Sequence, residues 1–469
     1  MQIPILTGIY TDNADFRTSY PVNMVPVPVN TGISAGYLRP AEGAVRLGYG
    51  LSLGAPRGAV NWRGKCYAVF GSSLVRINAD YSLDVLGNVG NHNDEHVTFT
   101  YSFELLAIAS NNNLFYWNDD VLVQLVDADL GNVISVEWVD GYFMTTDGDY
   151  LVVTDIGNPM SVNPLRYGSS EIDPDPIVQV IKLRNEIHAI NRHTIEVFEN
   201  TGGSTFPFTR IQGAQIQKGA CGSHCACILN DSVAFLGGGR NEPPAVYLGS
   251  NAIALKISTR EIEDILLTYT ETELSNAVVS ARMHEAHETF WIRLPDRTLV
   301  YDLEASKALS SSVWYQLTSA TAGFAEYRIV DPVWCYDKWI VFDPSNSDYG
   351  YLSKDTSKQF DNIYRWEFGT TIVYNEGRGI LFHSIELVCL SGRLEQGDAS
   401  YVSTSYSTDG MNWSMERLIS AGSRGDRMRR LMWLQQGPMR NWRTQRFRGD
   451  GKSMIVIARI EAAMEPLAV

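Results

Sequence analysis

The sequence predicts an all-β protein built on a β-propeller, and three observations carry that prediction. An apolar β-type run, a short polar break and a second apolar run recur seven times between residues 65 and 353. The set reads KCYAVF-GSS-LVRIN, ELLAIAS-NNN-LFYWN, GYFMTT-DGD-YLVVTD, NEIHAI-NRH-TIEVFEN, DSVAFL-GGGRNEPP-AVYLGS, HETFWIRL-PDR-TLVYDLE and KWIVFD-PSNSDYG-YLS. The repeats start near Lys65, Glu104, Gly141, Asn185, Asp231, His287 and Lys338, in steps of 39, 37, 44, 46, 56 and 51 residues. A period of roughly 40–50 residues fits one four-stranded blade. Within a repeat, successive side chains alternate inward and outward, as in Cys66-Tyr67-Ala68-Val69-Phe70, and pairs such as Asp147-Gly148 mark the hairpin turns. One blade cannot bury both of its faces, whereas a ring of blades buries each against its neighbours. Seven blades are expected, with six as the alternative because the last repeat is the weakest.

Residues 1–55 are rich in Pro, Asn and Gly. Tyr20-Pro21-Val22-Asn23-Met24 followed by Val25-Pro26-Val27-Pro28 must be extended, since each Pro pushes its predecessor out of the helical region. This reads as an arm packed along its own domain or a neighbouring subunit. Residues 56–374 carry the propeller. One interruption, near 258–280, is helical: Ile262, Ile265, Leu266 and Tyr269 recur at helical spacing, and Ser258 or Thr259 can cap the run. A second short helix is expected over 272–280. The insertion accounts for the step of 56 residues. Residues 375–469 read as a smaller β module, either sandwich-like or a set of strands appended to the propeller, with strands over 381–390, 399–406, 413–419 and 454–460.

The 469 residues hold 53 Asp and Glu against 38 Lys and Arg, a net charge of −15. Such a balance argues against a protein that grips nucleic acid, because phosphates are bound by Lys and Arg. The N-terminal stretch MQIPILTGIYTDNADF has no basic region and no long apolar core, so no secretory signal is expected. No run of 18 apolar residues occurs, so no membrane span is expected. The six cysteines are scattered except for one trio, and free thiols are expected.

Four stretches resemble chemical sites, and each has a plainer reading. Cys221-Gly-Ser-His224-Cys225-Ala-Cys227 lacks the second ligand pair that a structural zinc site needs. His284-Glu285-Ala286-His287-Glu288 spaces its histidines at i, i+3, where a helical metal site needs i, i+4. Gly237-Gly238-Gly239-Arg240 lacks the Gly-Lys-Ser/Thr ending of a phosphate loop. Ser407-Thr408-Asp409-Gly410-Met411-Asn412-Trp413 approaches the Asp-box turn of sialidases, but it stands alone and reads as a hairpin. No catalytic residue, metal ligand or cofactor is expected.

The most unusual stretch is 424–448. It holds eight arginines against Asp426, a charge of +7 that leaves −22 on the remainder. Charge runs are usually solvated faces. The functional reading is a partner interface formed by Arg424, Arg427, Arg429, Arg430, Trp433, Arg440, Trp442, Arg443 and Arg446, since Arg and Trp are enriched at protein contacts. A +7 patch on a −22 body also complements a second copy of itself. A backbone contact to nucleic acid is the third reading.

Several stretches resemble one family in order and spacing: Tyr20-Pro-Val-Asn-Met24, Gly36-Tyr-Leu-Arg39, Gln217-Lys-Gly219, the helical insertion within 259–280, Leu299-Val-Tyr301-Asp302 and Thr408-Asp-Gly410. This is the packaged-DNA stabilisation protein, or tail hub, of short-tailed bacteriophages. The resemblance spans almost the whole chain and is densest over 211–305. It implies a structural virion protein of the phage tail, made in the host cytoplasm and not an enzyme. It also implies a hexameric ring below the portal and its adaptor ring that continues the DNA channel and helps seal it. The same ring would offer surfaces to the tail needle and tailspikes, while genomic DNA passes without sequence-specific binding. The competing class is a propeller that binds or hydrolyses glycans, which needs paired carboxylates about 5–10 Å apart.

Overall fold

The computed structural model describes residues 2, 3, 5, 18–29, 34–50, 53–203, 205–394 and 398–467. Most of the first 17 residues of the expected arm therefore lie outside the described residues. The chain forms two compact units, one of Arg46–Pro295 with Ile329–Tyr351, the other of Met1–Val45, Asp296–Arg328 and Leu352–Val469.

The first unit is the β-propeller. Five antiparallel meanders follow one another: Pro56–Trp62 to Leu83–Asn88, Thr98–Tyr101 to Leu122–Gln124, Ser135–Val139 to Asn158–Ser169, Ile177–Leu183 to Phe208–Arg210, and Ala226–Leu229 to Ile253–Lys256. The hairpins Val278–His284/His287–Arg293 and Val330–Cys335/Lys338–Phe342 extend the series. The first strand of each of the five meanders lies beside the first strand of the next, and Val330–Cys335 returns to Pro56–Trp62. Cys66, Phe70 and Ile77 pack with Cys335, Ile340 and Phe342 in one buried cluster, and the Tyr336 hydroxyl donates to Ile77 O at 2.7 Å. The first and last repeats are thus closed on each other by apolar burial and a hydrogen bond.

Turn chemistry sets the hairpin registers. Asn111 and Asn112, at φ 52° and 59°, join Ser110 to its partner Asn113. Both adopt the left-handed conformation that a two-residue turn demands and that Asn tolerates. Glu285 and Ala286 do the same between His284 and His287, so the HEAHE stretch is a hairpin tip.

The helical insertion consists of Arg260–Leu266, capped by Thr259, and Glu271–Ser275, whose Thr270 and Glu273 form a reciprocal capping box. The second helix is shorter than the expected 272–280. From Val278 the chain is a strand, because β-branched Val278 and Val279 pack better on a pleated surface. The sixth repeat also departs from expectation. The strand read through Glu304 ends at Asp302, and Leu303–Leu309 form a helix with Asp302 accepting from Ala305 N–H at 2.9 Å.

The second unit is a β-sandwich. One sheet runs in the order Met24–Pro28, Gly36–Pro40, Val456–Pro466, Ile380–Leu390, Leu431–Met439, and the other in the order Arg365–Gly369, Trp442–Asp450, Tyr401–Ser407, Arg417–Ser420. Met24, Leu38, Phe382, Ile385, Trp433, Ile457 and Ile460 of one sheet meet Trp366, Phe368, Val402 and Phe447 of the other in a continuous core. N-terminal residues therefore supply strands to the C-terminal module. Leu431–Met439 lies inside the Arg-rich stretch and Trp442–Asp450 overlaps its end, and in the second of these strands arginines at buried positions mask the apolar alternation.

Candidate interaction surface

The Arg-rich stretch climbs from the 421–430 loop up one sheet of the sandwich, turns at Arg440-Asn441 and descends in the other. Its residues therefore separate into a buried set on the two strands and an exposed set in the loop and at the turn.

Trp433, Arg443 and Arg446 are buried, Arg443 and Arg446 on opposite faces of their strand. The Trp433 indole N–H donates to Arg417 O at 2.8 Å, and its ring lies 5.6 Å from Phe447. Arg443 donates from Nη1 to Gln436 O at 2.6 Å, and from Nε and Nη2 to Gln445 Oε1 at 3.1 and 2.9 Å. Its guanidinium also stacks 3.8 Å from the Tyr406 ring centroid and 4.5 Å from that of Phe382. Burial pushes its pKa down to about 10, since a low-dielectric interior disfavours the charged form. Arg446 lies 3.9 Å over the Trp413 ring. Arg448 bridges Glu367 at 2.6 Å and Glu416 at 2.7 Å. These side chains hold the sandwich together, and Trp442 is half-buried beside them.

Arg424, Arg427, Arg429, Arg430 and Arg440 are exposed, as is Met428 at 92%. Arg430 grips Glu386 with both arms of its fork, Nε–Oε1 being 2.7 Å, and this holds the Glu386 carboxyl below its ordinary value. Arg429 donates to Ser420 O at 2.9 Å and lies 3.8 Å from Asp426. The exposed set thus lies at the two ends of Leu431–Met439, four arginines in the loop before it and Arg440 at the turn after it.

Two of the other stretches make local packing and turn contacts. Cys225 Sγ donates to Leu274 O and Ala277 O, both at 3.3 Å, within the packing around the short helices. Asp409 accepts from Met411 N, Asn412 N and the Asn412 amide, which drives its pKa far down and fixes a hairpin loop. Among the described residues no group of three or more His, Cys, Asp or Glu side chains is arranged to hold a metal ion.

One polar cluster has no trace in the sequence. His96 and His224, in the loops leading into Thr98–Tyr101 and Ala226–Leu229, meet Asp331 of Val330–Cys335 from three distant repeats. His96 Nε2 lies 3.1 Å from Asp331 Oδ1, and the two imidazole rings meet edge to face at 5.0 Å. Burial, with His96 beside it, pushes the His224 pKa down to about 3. Arg57 is buried nearby and donates to Glu95 O, Gly71 O, Gly90 O and Ser110 Oγ.

Comparison with known proteins adds the identity of the scaffold. The family model described as bacteriophage P22 Gp10, beta-propeller, matches residues 1–357, and that described as bacteriophage P22 Gp10, beta-sandwich, matches residues 365–465. The chain is 26% identical over 486 residues to the tail hub protein gp10 of Salmonella phage P22, covering 99% of both chains. Solved structures are more distant. PorZ of Porphyromonas gingivalis is 12% identical with a TM-score of 0.40, covering 80% of this chain and 46% of its own. The N-terminal domain of Nup159 is 7% identical with a TM-score of 0.42, covering 70% of this chain and 98% of its own.

Proposed function

This chain belongs to the bacteriophage P22 Gp10 family and is a structural protein of a phage tail, and within that role we propose that it forms a hexameric ring continuing the DNA channel below the portal adaptor. In this reading the ring helps retain packaged DNA and offers its outer surfaces to the tail needle and tailspikes. It makes and breaks no covalent bond. The observation that carries the proposal is similarity to the P22 tail hub across 99% of both chains, propeller and sandwich alike. Net charge supports it: a body of −15 does not hold DNA, so the duplex can leave quickly on ejection. The exposed arginines of the sandwich are the proposed contact between copies, where positive and negative patches fix register. The glycan-active alternative draws no support from the matched relative, which is a tail hub.

The test is charge reversal in the virion. Particles carrying Arg429→Glu with Arg430→Glu should assemble heads, fill them, and then leak DNA, read as nuclease-sensitive genome in purified particles. Fully infective particles with protected DNA would refute the contact. Particles that lack this protein yet keep their DNA and complete tails would refute the ring itself.

A further inference from the structure

A second cationic feature of the sandwich unit is concave. A pocket of about 620 Å3 is walled by residues 354–358, the 392–394 and 424–427 loops, Lys452 and Met454. Its cations are Lys354, Lys358, Arg393, Arg424, Arg427 and Lys452, and its lining contains one acid, Asp355. Lys358 is matched by Asp398 at 3.3 Å. Arg393, Arg424, Arg427 and Lys452 have no ion-pair partner among the described residues. Like charges crowded around one cavity repel one another, so the arrangement gains from an anion that enters it.

The walls are built in. Gly425 N–H donates to Gly392 O at 2.9 Å, Ser391 Oγ donates to Asp426 O at 3.2 Å, and Met454 N–H donates to Arg393 O at 3.1 Å. Gly392 sits at φ +79°, and a Cβ there would lie 2.8 Å from the Asp426 backbone, so the two loops close on each other only with glycine at this position. The 354–358 wall is tied down by Gly43 N–H to Thr356 O at 3.0 Å and Ala44 N–H to Lys358 O at 2.9 Å. The cations therefore project from a fixed frame, and less ordering cost falls on an incoming ligand.

We propose that this pocket receives a carboxylate-bearing segment of a second copy of the chain. Guanidinium forks bind carboxylate and phosphate alike, and two observations favour carboxylate. The lining contains no aromatic side chain on which bases could stack. The chain also carries 53 acids against 38 bases, so every neighbouring copy presents surplus carboxylates while its field repels DNA. The inference rests on the ring reading above and names one of its joints.

Zero-length carbodiimide coupling tests it, because that reagent joins an amine to a carboxylate only where the two touch. Particles lacking this protein are completed in vitro with an equal mixture of unlabelled and 15N-labelled chain, coupled, digested and read by mass spectrometry. The expected products are mixed-isotope links from Lys354, Lys358 or Lys452 to an Asp or Glu of the same sequence. Their yield should fall about fivefold when Arg424→Glu and Arg427→Glu are combined, the scale of two exposed ion pairs. Both arginines are exposed, so an unchanged thermal midpoint confirms that the variant folds. Links confined to one isotope, links to another virion protein, or no links in particles that have incorporated the chain each overturn the pocket proposal and leave the tail reading standing. Links that emerge only after nuclease treatment overturn it in favour of nucleic acid. Failure of the chain to enter the particle overturns the ring reading and this inference with it.

Discussion

Replacing Asn23 by alanine should destabilise the sandwich unit by about 4 kcal/mol, working from three buried hydrogen bonds and one backbone torsion. Asn23 is fully buried and sits at φ 55°. Its amide donates to Thr318 O at 2.9 Å and to Arg365 O at 2.7 Å, and its Oδ1 accepts from Thr318 N–H at 3.0 Å. The backbone on either side does the same: Val22 N–H donates to Glu367 O, Asn23 N–H to Gln316 O, and Gln316 N–H to Pro21 O. The residue therefore stitches Val313–Leu317 to Arg365–Gly369 through a chain segment distant from both. Alanine strands the Thr318 N–H and the Arg365 carbonyl, at about 1–3 kcal/mol each when they stay dry. The Thr318 carbonyl keeps a longer bond from Gln359, so its share is smaller. Holding alanine in the left-handed region adds about 1 kcal/mol. Glycine should recover only that last part, and aspartate should be worse than alanine, because it points a carboxylate at two carbonyls. The assay is hydrogen exchange at Val22, Gln316 and Glu367 under increasing urea. A loss below 1 kcal/mol for the alanine variant would refute the reasoning.

Three further predictions use the same logic. Arg443→Ala should destabilise the isolated chain by about 3 kcal/mol, the lost bonds and ring contacts outweighing the returned cost of burying the charge; if urea unfolding is unchanged while particle assembly fails, Arg443 works at an interface instead. His224 and His188 titrate near 3 and 4 when folded, well below the ordinary 6.5, both chiefly through burial. The unfolded chain then binds protons first as the pH drops, so stability present above about 6.5 is lost progressively toward those lower values, and His188→Leu with His224→Gln should flatten the fall in a thermal-midpoint series. Glu386, held low by Arg430, contributes stability that is lost as the pH falls below its ordinary 4.5; Arg430→Gln should remove that contribution, measured as the difference in midpoint between pH 7 and pH 3.

The propeller was legible because its signal is local and repeated. Apolar alternation and short polar breaks arise within one hairpin, and each hairpin carries them independently of the rest, so they recur along the chain. The cap of the first helix was legible for the same reason, with Thr259 lying directly before it, whereas Thr270, which caps the second, was not read. The Arg-rich stretch was visible as composition but not as structure. A run of arginines reads as solvent-facing until its pleat is known, and the pleat came from pairing Trp442–Asp450 with Arg365–Gly369 and Tyr401–Ser407. That pairing buried Arg443 and Arg446, while Arg424 and Arg427 stay exposed in the loop before the strands.

Sequence alone determined the repeat, the class of fold, the charge asymmetry and the family, since each depends on residues close together or on their order. Tertiary structure alone decided which arginines are core and which are surface, that Asn23 joins two remote strands, that His96, His224 and Asp331 share one site, and that six cations surround one pocket. Those groups lie up to hundreds of residues apart in the chain. Only strand pairing and ring closure bring them within hydrogen-bond or Coulomb range, and no local pattern encodes a distance of that kind.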